Sequence, residues 1–189
     1  MGLLEEFPGL KHRISVDAYH RMGDAGVFAP DARIELIEGE IIDMAPIGSR
    51  HASVVDQLTR IIVGAVGERA ITRVQGPVRL GDLSEPEPDL ALLIPRADYY
   101  RDALPGAAEV LLIIEVADST QRLDRRVKVP LYARHGVPEV WVIDLENGLV
   151  HFHRRPDNGA YAEISATEHP SSTPIATLPG ITIDLSGGL

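Results

Sequence analysis

Val110-Leu111-Leu112-Ile113-Ile114-Glu115-Val116 is the most apolar run in the chain, and a carboxylate interrupts it near its end. A strand without polar alternation is buried on both faces, so this run belongs in the middle of a sheet covered by helices. Pro88-Asp89-Leu90-Ala91-Leu92-Leu93-Ile94 repeats the pattern, with an acid at the mouth of a second apolar run. Burying an unpaired charge is expensive, so Glu115 must lie at a sheet end or have a cationic partner. Two acids at strand ends with one ammonium nearby can hold a divalent metal and position a water beside it. Of the eighteen basic side chains only Lys11 and Lys128 are lysines, and Lys128 follows Glu115 by thirteen residues.

Outward from these strands the pattern alternates between helix and strand. Ser15 can cap a short helix through Met22, and Arg33 to Met44 reads as a hairpin turning at Glu38-Gly39-Glu40. Ser49 can cap a helix from about His51 to Val66, whose apolar positions recur every three or four residues. Ile71 to Leu80 reads as a strand bent at Gly76-Pro77, and residues 95–108 as a polar connection. Ser119 or Thr120 can cap the next helix, which stops at His135-Gly136. Pro130 falls inside it, so either the helix kinks or it begins near Pro130 with Lys128 at its entrance. Val137 to Leu145 and Leu149 to Arg155 form two strands around Glu146-Asn147-Gly148, and the remainder reads as short edge strands. This order gives an α/β (α+β) fold with a central mixed sheet flanked by helices.

At 189 residues, with 44% hydrophobic and 24% charged content, the chain is read as a single domain over 1–189, with 1–12 a loose leader. Aromatics are only 5%, so the core should be aliphatic, and the absence of cysteine excludes disulfides, thiolate metal sites and thiol nucleophiles. No secretory signal and no run long enough to span a bilayer is present, from which a soluble, cytoplasmic protein with no membrane partner is expected. The net charge of −10 argues against strong non-specific nucleic-acid binding. Yet residues 119–135 carry Arg122, Arg125, Arg126, Lys128 and Arg134 against Asp124 alone, while Asp82, Glu85, Glu87 and Asp89 cluster without a base. That juxtaposition suits a cation flanked by an anionic substrate, and equally two solvated surface patches.

The segments Glu115-Val116-Ala117-Asp118-Ser119-Thr120, Asp124-Arg125, Lys128, Pro130-Leu131-Tyr132-Ala133 and Gly136-Val137-Pro138-Glu139-Val140-Trp141-Val142-Ile143-Asp144 closely resemble the Uma2 family. So do Ile34 to Glu40, Ser49-Arg50-His51 and Glu87-Pro88-Asp89-Leu90-Ala91, and the resemblance runs in order over roughly residues 14–185. It implies a restriction-endonuclease-like core of the PD-(D/E)XK nuclease superfamily. Asp89 would be the first acid and Glu115 the second. The superfamily's lysine two residues further on is replaced by Ala117, and the resemblance moves that role to Lys128. Glu35 resembles a further family acid, whose plain alternative is an outward strand position.

The expected activity is Mg²⁺- or Mn²⁺-dependent hydrolysis of DNA phosphodiester bonds. Asp89, Glu115 and the Val116 carbonyl would hold the ion, and Lys128 would act on the attacking water or the phosphorane charge. Arg122, Arg125 and Arg126 would contact flanking phosphates, with His51 at a helix start either contacting phosphate or capping. A homodimer is expected if both strands are cut. The alternative is a nuclease-fold binding module with weak or absent catalysis, in which Asp89 caps a turn, Glu115 pairs with an arginine and Lys128 pairs with Asp124 on a helix surface. His151 and His153 share a strand face but lack an evident third ligand for zinc. Trp141 reads as core or dimer interface rather than a base-stacking platform, and Ser119 as a cap rather than a nucleophile.

Overall fold

The computed structural model describes residues 11–117, 122–168 and 170–187, with the backbone alone for 122–125. Its centre is a six-stranded mixed sheet in the order β3-β4-β5-β6-β7-β8. These strands are β3 (Ile71–Val74), β4 (Leu90–Leu93), β5 (Val110–Ala117), β6 (Glu139–Asp144), β7 (Leu149–Asp157) and β8 (Ala160–Glu168). Only β5 and β6 run parallel, and the helix α3 (Arg122–Arg134) crosses between them. Before the sheet come α1 (Val16–Asp24), the hairpin β1 (Ile34–Ile37) and β2 (Glu40–Asp43), and the long helix α2 (Ser49–Val66). A small pair, β9 (Thr173–Pro174) and β10 (Thr182–Ile183), closes the chain.

The apolar runs are continuous because both sheet faces are covered. Leu90, Leu92, Leu112, Ile114 and Val116 pack with Val54, Leu58 and Ile62 of α2. Ala91, Leu93, Ile113 and Ala117 pack with Val129, Leu131 and Tyr132 of α3. Strand alternation therefore sends Glu115, between Ile114 and Val116, to the α3 face. Trp141 is fully buried among the α2-side residues, with its indole N–H donating to Glu139 at 2.7 Å.

The hairpin turns through Glu38 (φ 50°) and Gly39 (φ 80°), the two positive angles that a two-residue turn matching strand twist requires. It docks on the acidic segment before β4: Glu85 N–H donates to Leu36 O at 2.7 Å, and Gly39 N–H to Leu83 O at 2.7 Å. A Cβ at Gly39 would lie 2.6 Å from the Arg13 Cβ. Gly39→Ala is therefore expected to cost about 1–3 kcal/mol in a urea melt, from the left-handed backbone and the steric clash together.

Four expectations need correction. Ser49 is the first residue of α2 and Gly48 is its cap, with no side-chain cap bond. The strand expected over Ile71 to Leu80 ends at Val74, because Gly76-Pro77 breaks the ladder and only isolated bridges follow at Arg79 and Leu80. The helix α3 does not begin near Pro130 but continues through it, so Lys128 lies within the helix rather than at its entrance. The C-terminal region contains a nine-residue strand, β8, where only short edge strands were expected. Asn158 (φ 48°) and Gly159 (φ 81°) form the tight turn that pairs it with β7. Ser15 caps α1 as expected, accepting from Ala18 N–H at 3.2 Å, whereas Ser119 and Thr120 fall outside the described residues.

Candidate active site

The antiparallel register of β4 on β5 pairs Leu90 with Ile114, so Asp89 and Glu115 meet one step further along. Asp89 N–H donates to Glu115 Oε2 at 3.4 Å, and Asp89 Oδ2 accepts from Val116 N–H at 2.8 Å. The two acids separated by 26 residues are thus neighbours at one end of the central strands. His51, in the first turn of α2, places Nε2 3.1 Å from Asp89 Oδ2. This histidine is buried and holds the carboxylate.

From the opposite face α3 delivers two side chains four residues apart, a spacing that puts both on one side of a helix. Lys128 Nζ lies 3.0 Å from Glu35 Oε2 and 3.6 Å from Glu115 Oε1. Tyr132 donates its hydroxyl to Glu115 Oε1 at 2.6 Å. Lys128 is only 3% exposed, so it lies within the cleft rather than on the helix surface, and Glu115 takes a lysine and a tyrosine as partners. Glu35 faces inward on β1, where Glu87 N–H also donates to its Oε2 at 3.1 Å.

All of these side chains except that of Tyr132 line a cleft of about 360 Å³. Glu35, Glu87, Asp89, Glu115 and Lys128 line it, and the hairpin and the segment after it add Ile37, Ile42, Met44 and Ile47 together with the carboxylates of Glu38, Glu40 and Asp43. Arg33, which donates to Ala45 O at 3.0 Å, stands at its edge. Burial first and the Glu35 carboxylate second raise the Glu87 pKa above the usual carboxylate range, against the opposing pull of Arg33 and Lys128. A carboxyl with a raised folded-state pKa retains its proton longer when folded than when unfolded. Its contribution is therefore complete at acid pH and declines as pH rises above the usual carboxylate range. Glu87→Gln should flatten that part of a curve of melting temperature against pH, and an unchanged slope would show that Glu87 is not its source.

Of the flanking arginines, Arg126 is exposed on α3, while the side chains of Arg122 and Arg125 lie outside the described residues. His151 points toward Asp144, with Nε2 and Oδ2 3.7 Å apart, and His153 packs on Tyr161 with ring centroids 5.7 Å apart. Among the described residues no three His, Asp or Glu side chains gather into a metal cage. Two carboxylates at a cleft nevertheless fit a small hard cation. Magnesium keeps several waters and is commonly held by one or two carboxylates together with substrate phosphate.

Two contributors were absent from the sequence reading: Tyr132 as a partner of Glu115, and His51 as a partner of Asp89. The spacing of Lys128 and Tyr132 was a legible signal for the first. No local signal pairs a helix start with an acid 38 residues away.

Among solved structures, the chain is similar to one titled "Crystal structure of a putative nuclease belonging to DUF820 from Anabaena variabilis ATCC 29413". The TM-score is 0.71 at 18% identity, with 91% of this chain and 95% of that chain covered. At that identity the likeness establishes the shared fold. No curated protein matches the chain. The family model described as "Uma2: Putative restriction endonuclease" matches residues 16–186, including both strand-end acids, the hairpin and α3. The chain belongs to the Uma2 family.

Proposed function

We propose that this protein is an endonuclease that hydrolyses DNA phosphodiester bonds with a divalent cation held by Asp89, Glu115 and the carbonyl of Val116. The observation that carries this reading is the convergence of Asp89, Glu115 and Lys128, distant in sequence, at one cleft. Magnesium or manganese bound there would supply Lewis-acid charge toward the scissile phosphate. His51 and Tyr132 fix the two carboxylates from opposite faces of the sheet. Lys128 supplies the compact positive charge that faces the phosphoryl oxygens as the water attacks in line. Glu35 holds that ammonium in place in the absence of substrate. Arg122, Arg125 and Arg126, carried on α3 beside Lys128, contact the flanking phosphates. Cleavage of both strands requires two such sites, supplied by a homodimer.

A plasmid-nicking assay in Mg²⁺ and Mn²⁺ tests the reading. Wild type should relax supercoiled DNA only with metal, while Asp89→Ala and Lys128→Ala should not. Metal-dependent nicking that survives both substitutions would exclude this site. One observation favours a second reading, a nuclease-fold binding module: Lys128 sits closer to Glu35 than to Glu115. A cluster whose acids and ammonium mainly satisfy one another would give no nicking under any metal.

A further inference from the structure

We propose that a second pocket, on the other side of β1 from the catalytic cleft, is a nucleobase-stacking subsite that prefers bases bearing an exocyclic amine. The inference rests on the nuclease reading above and adds where the strand beside the scissile phosphate lies. The pocket has a volume of about 400 Å³ and is lined by Tyr19, His20, Asp24, Phe28, Ile34 and Glu87, among others. Alternation along a strand sends consecutive side chains to opposite faces. Accordingly Arg33 and Glu35 line the catalytic cleft while Ile34 between them lines this pocket, and Glu87 borders both. A nucleic-acid strand leaving the cleft over this rim would meet the second pocket next.

The aromatic content of the chain makes the pocket notable. Aromatics are only 5% of the sequence, and Trp141, Tyr132, Tyr100, Phe152 and Tyr161 are buried in the core. Tyr19 and Phe28 instead meet at a partly exposed site, their ring centroids 5.5 Å apart, and the His20 ring lies 6.0 Å from Tyr19. Each polar edge is held. Tyr19 donates to Ile34 O at 3.1 Å, and His20 Nε2 lies 2.8 Å and 2.9 Å from the two oxygens of buried Glu85. Rings anchored at their edges present their faces without further ordering cost, which is what stacking on a base requires. The carboxylates of Asp24 and Glu87 disfavour phosphate in this pocket and accept from N–H groups. Adenine, cytosine and guanine carry exocyclic amines, whereas thymine does not.

Fluorescence anisotropy with short labelled single strands of dA, dC or dT, in chelator at low salt, tests the proposal. Wild type should bind dA and dC strands more tightly than dT. Tyr19→Leu and Phe28→Leu should each weaken dA binding about 5- to 150-fold, while Tyr19→Phe, which keeps the ring and loses only its hydroxyl anchor, should weaken it far less than Tyr19→Leu. Asp24→Asn should narrow the preference over dT. Unchanged affinity in both leucine variants, or no binding by wild type, overturns the subsite. Should the leucine variants melt prematurely, titration of wild type with dAMP replaces them. Shifts in the Tyr19 and Phe28 ring-proton resonances are expected, and their absence overturns the proposal. Plasmid nicking by wild type separates the two levels: nicking without base binding removes only the subsite, and neither nicking nor binding removes the nuclease reading as well.

Discussion

Lys128→Met is expected to destabilise the fold by about 3–5 kcal/mol, because it leaves two buried carboxylates facing each other without the ammonium between them. Glu35 and Glu115 are each 5% exposed, and Lys128 Nζ lies 3.0 Å and 3.6 Å from them. Methionine conserves the length and apolar stem of lysine, so the loss is mainly electrostatic rather than a cavity. The companion variant Lys128→Met/Glu35→Gln should recover much of the stability, since it removes one of the two repelling charges. It should not recover nicking, because the positive charge facing the phosphate is still missing. Urea denaturation of wild type, single and double variants measures the first effect, and the plasmid assay measures the second. Additive losses in the double variant would mean that Glu35 and Lys128 do not act on one another, contrary to their contact.

That pair also shows what a sequence can and cannot disclose. The two acids were legible because each interrupts or borders an apolar run, where an unpaired charge is too costly to be incidental. Their meeting followed from strand register, a consequence of β4 and β5 being neighbours. Glu35 as a partner of Lys128 was not legible in the same way. Local spacing offered Asp124, four residues away, whereas the hairpin brings Glu35 from 93 positions upstream by docking on residues 83–87. The β8 strand had an available signal in Asn158-Gly159, a dipeptide suited to a two-residue hairpin turn, with Val150 and Phe152 before it and Tyr161, Ile164 and Thr167 after it. Lys128 within a helix containing Pro130 went the other way. A missing hydrogen bond at Pro130 costs about 3 kcal/mol in an isolated helix, yet Val129, Leu131 and Tyr132 pack against the sheet on either side of it. Tertiary burial outweighs the local penalty, and no reading of propensity alone would have ranked them.

Asp89→Asn should abolish metal stabilisation while leaving the metal-free fold close to wild type. The amide is nearly isosteric, and its oxygen can still accept from Val116 N–H, the 2.8 Å contact that ties β5 to the start of β4. It lacks the negative charge that a hard divalent cation draws from its carboxylate ligands. A ligand that binds only the native state at 100 times its dissociation constant adds about 2.7 kcal/mol, or about 5–11 °C in melting temperature for a domain of this size. Wild type in saturating Mn²⁺ should show a rise of this order, and Asp89→Asn none, with plasmid nicking lost by at least about 100-fold. Because the melting shift is read without any substrate, it separates a failure to hold the ion from a failure to use it. A full Mn²⁺ shift in Asp89→Asn would move the cation elsewhere in the cleft and leave Asp89 as a structural partner of His51 and Val116.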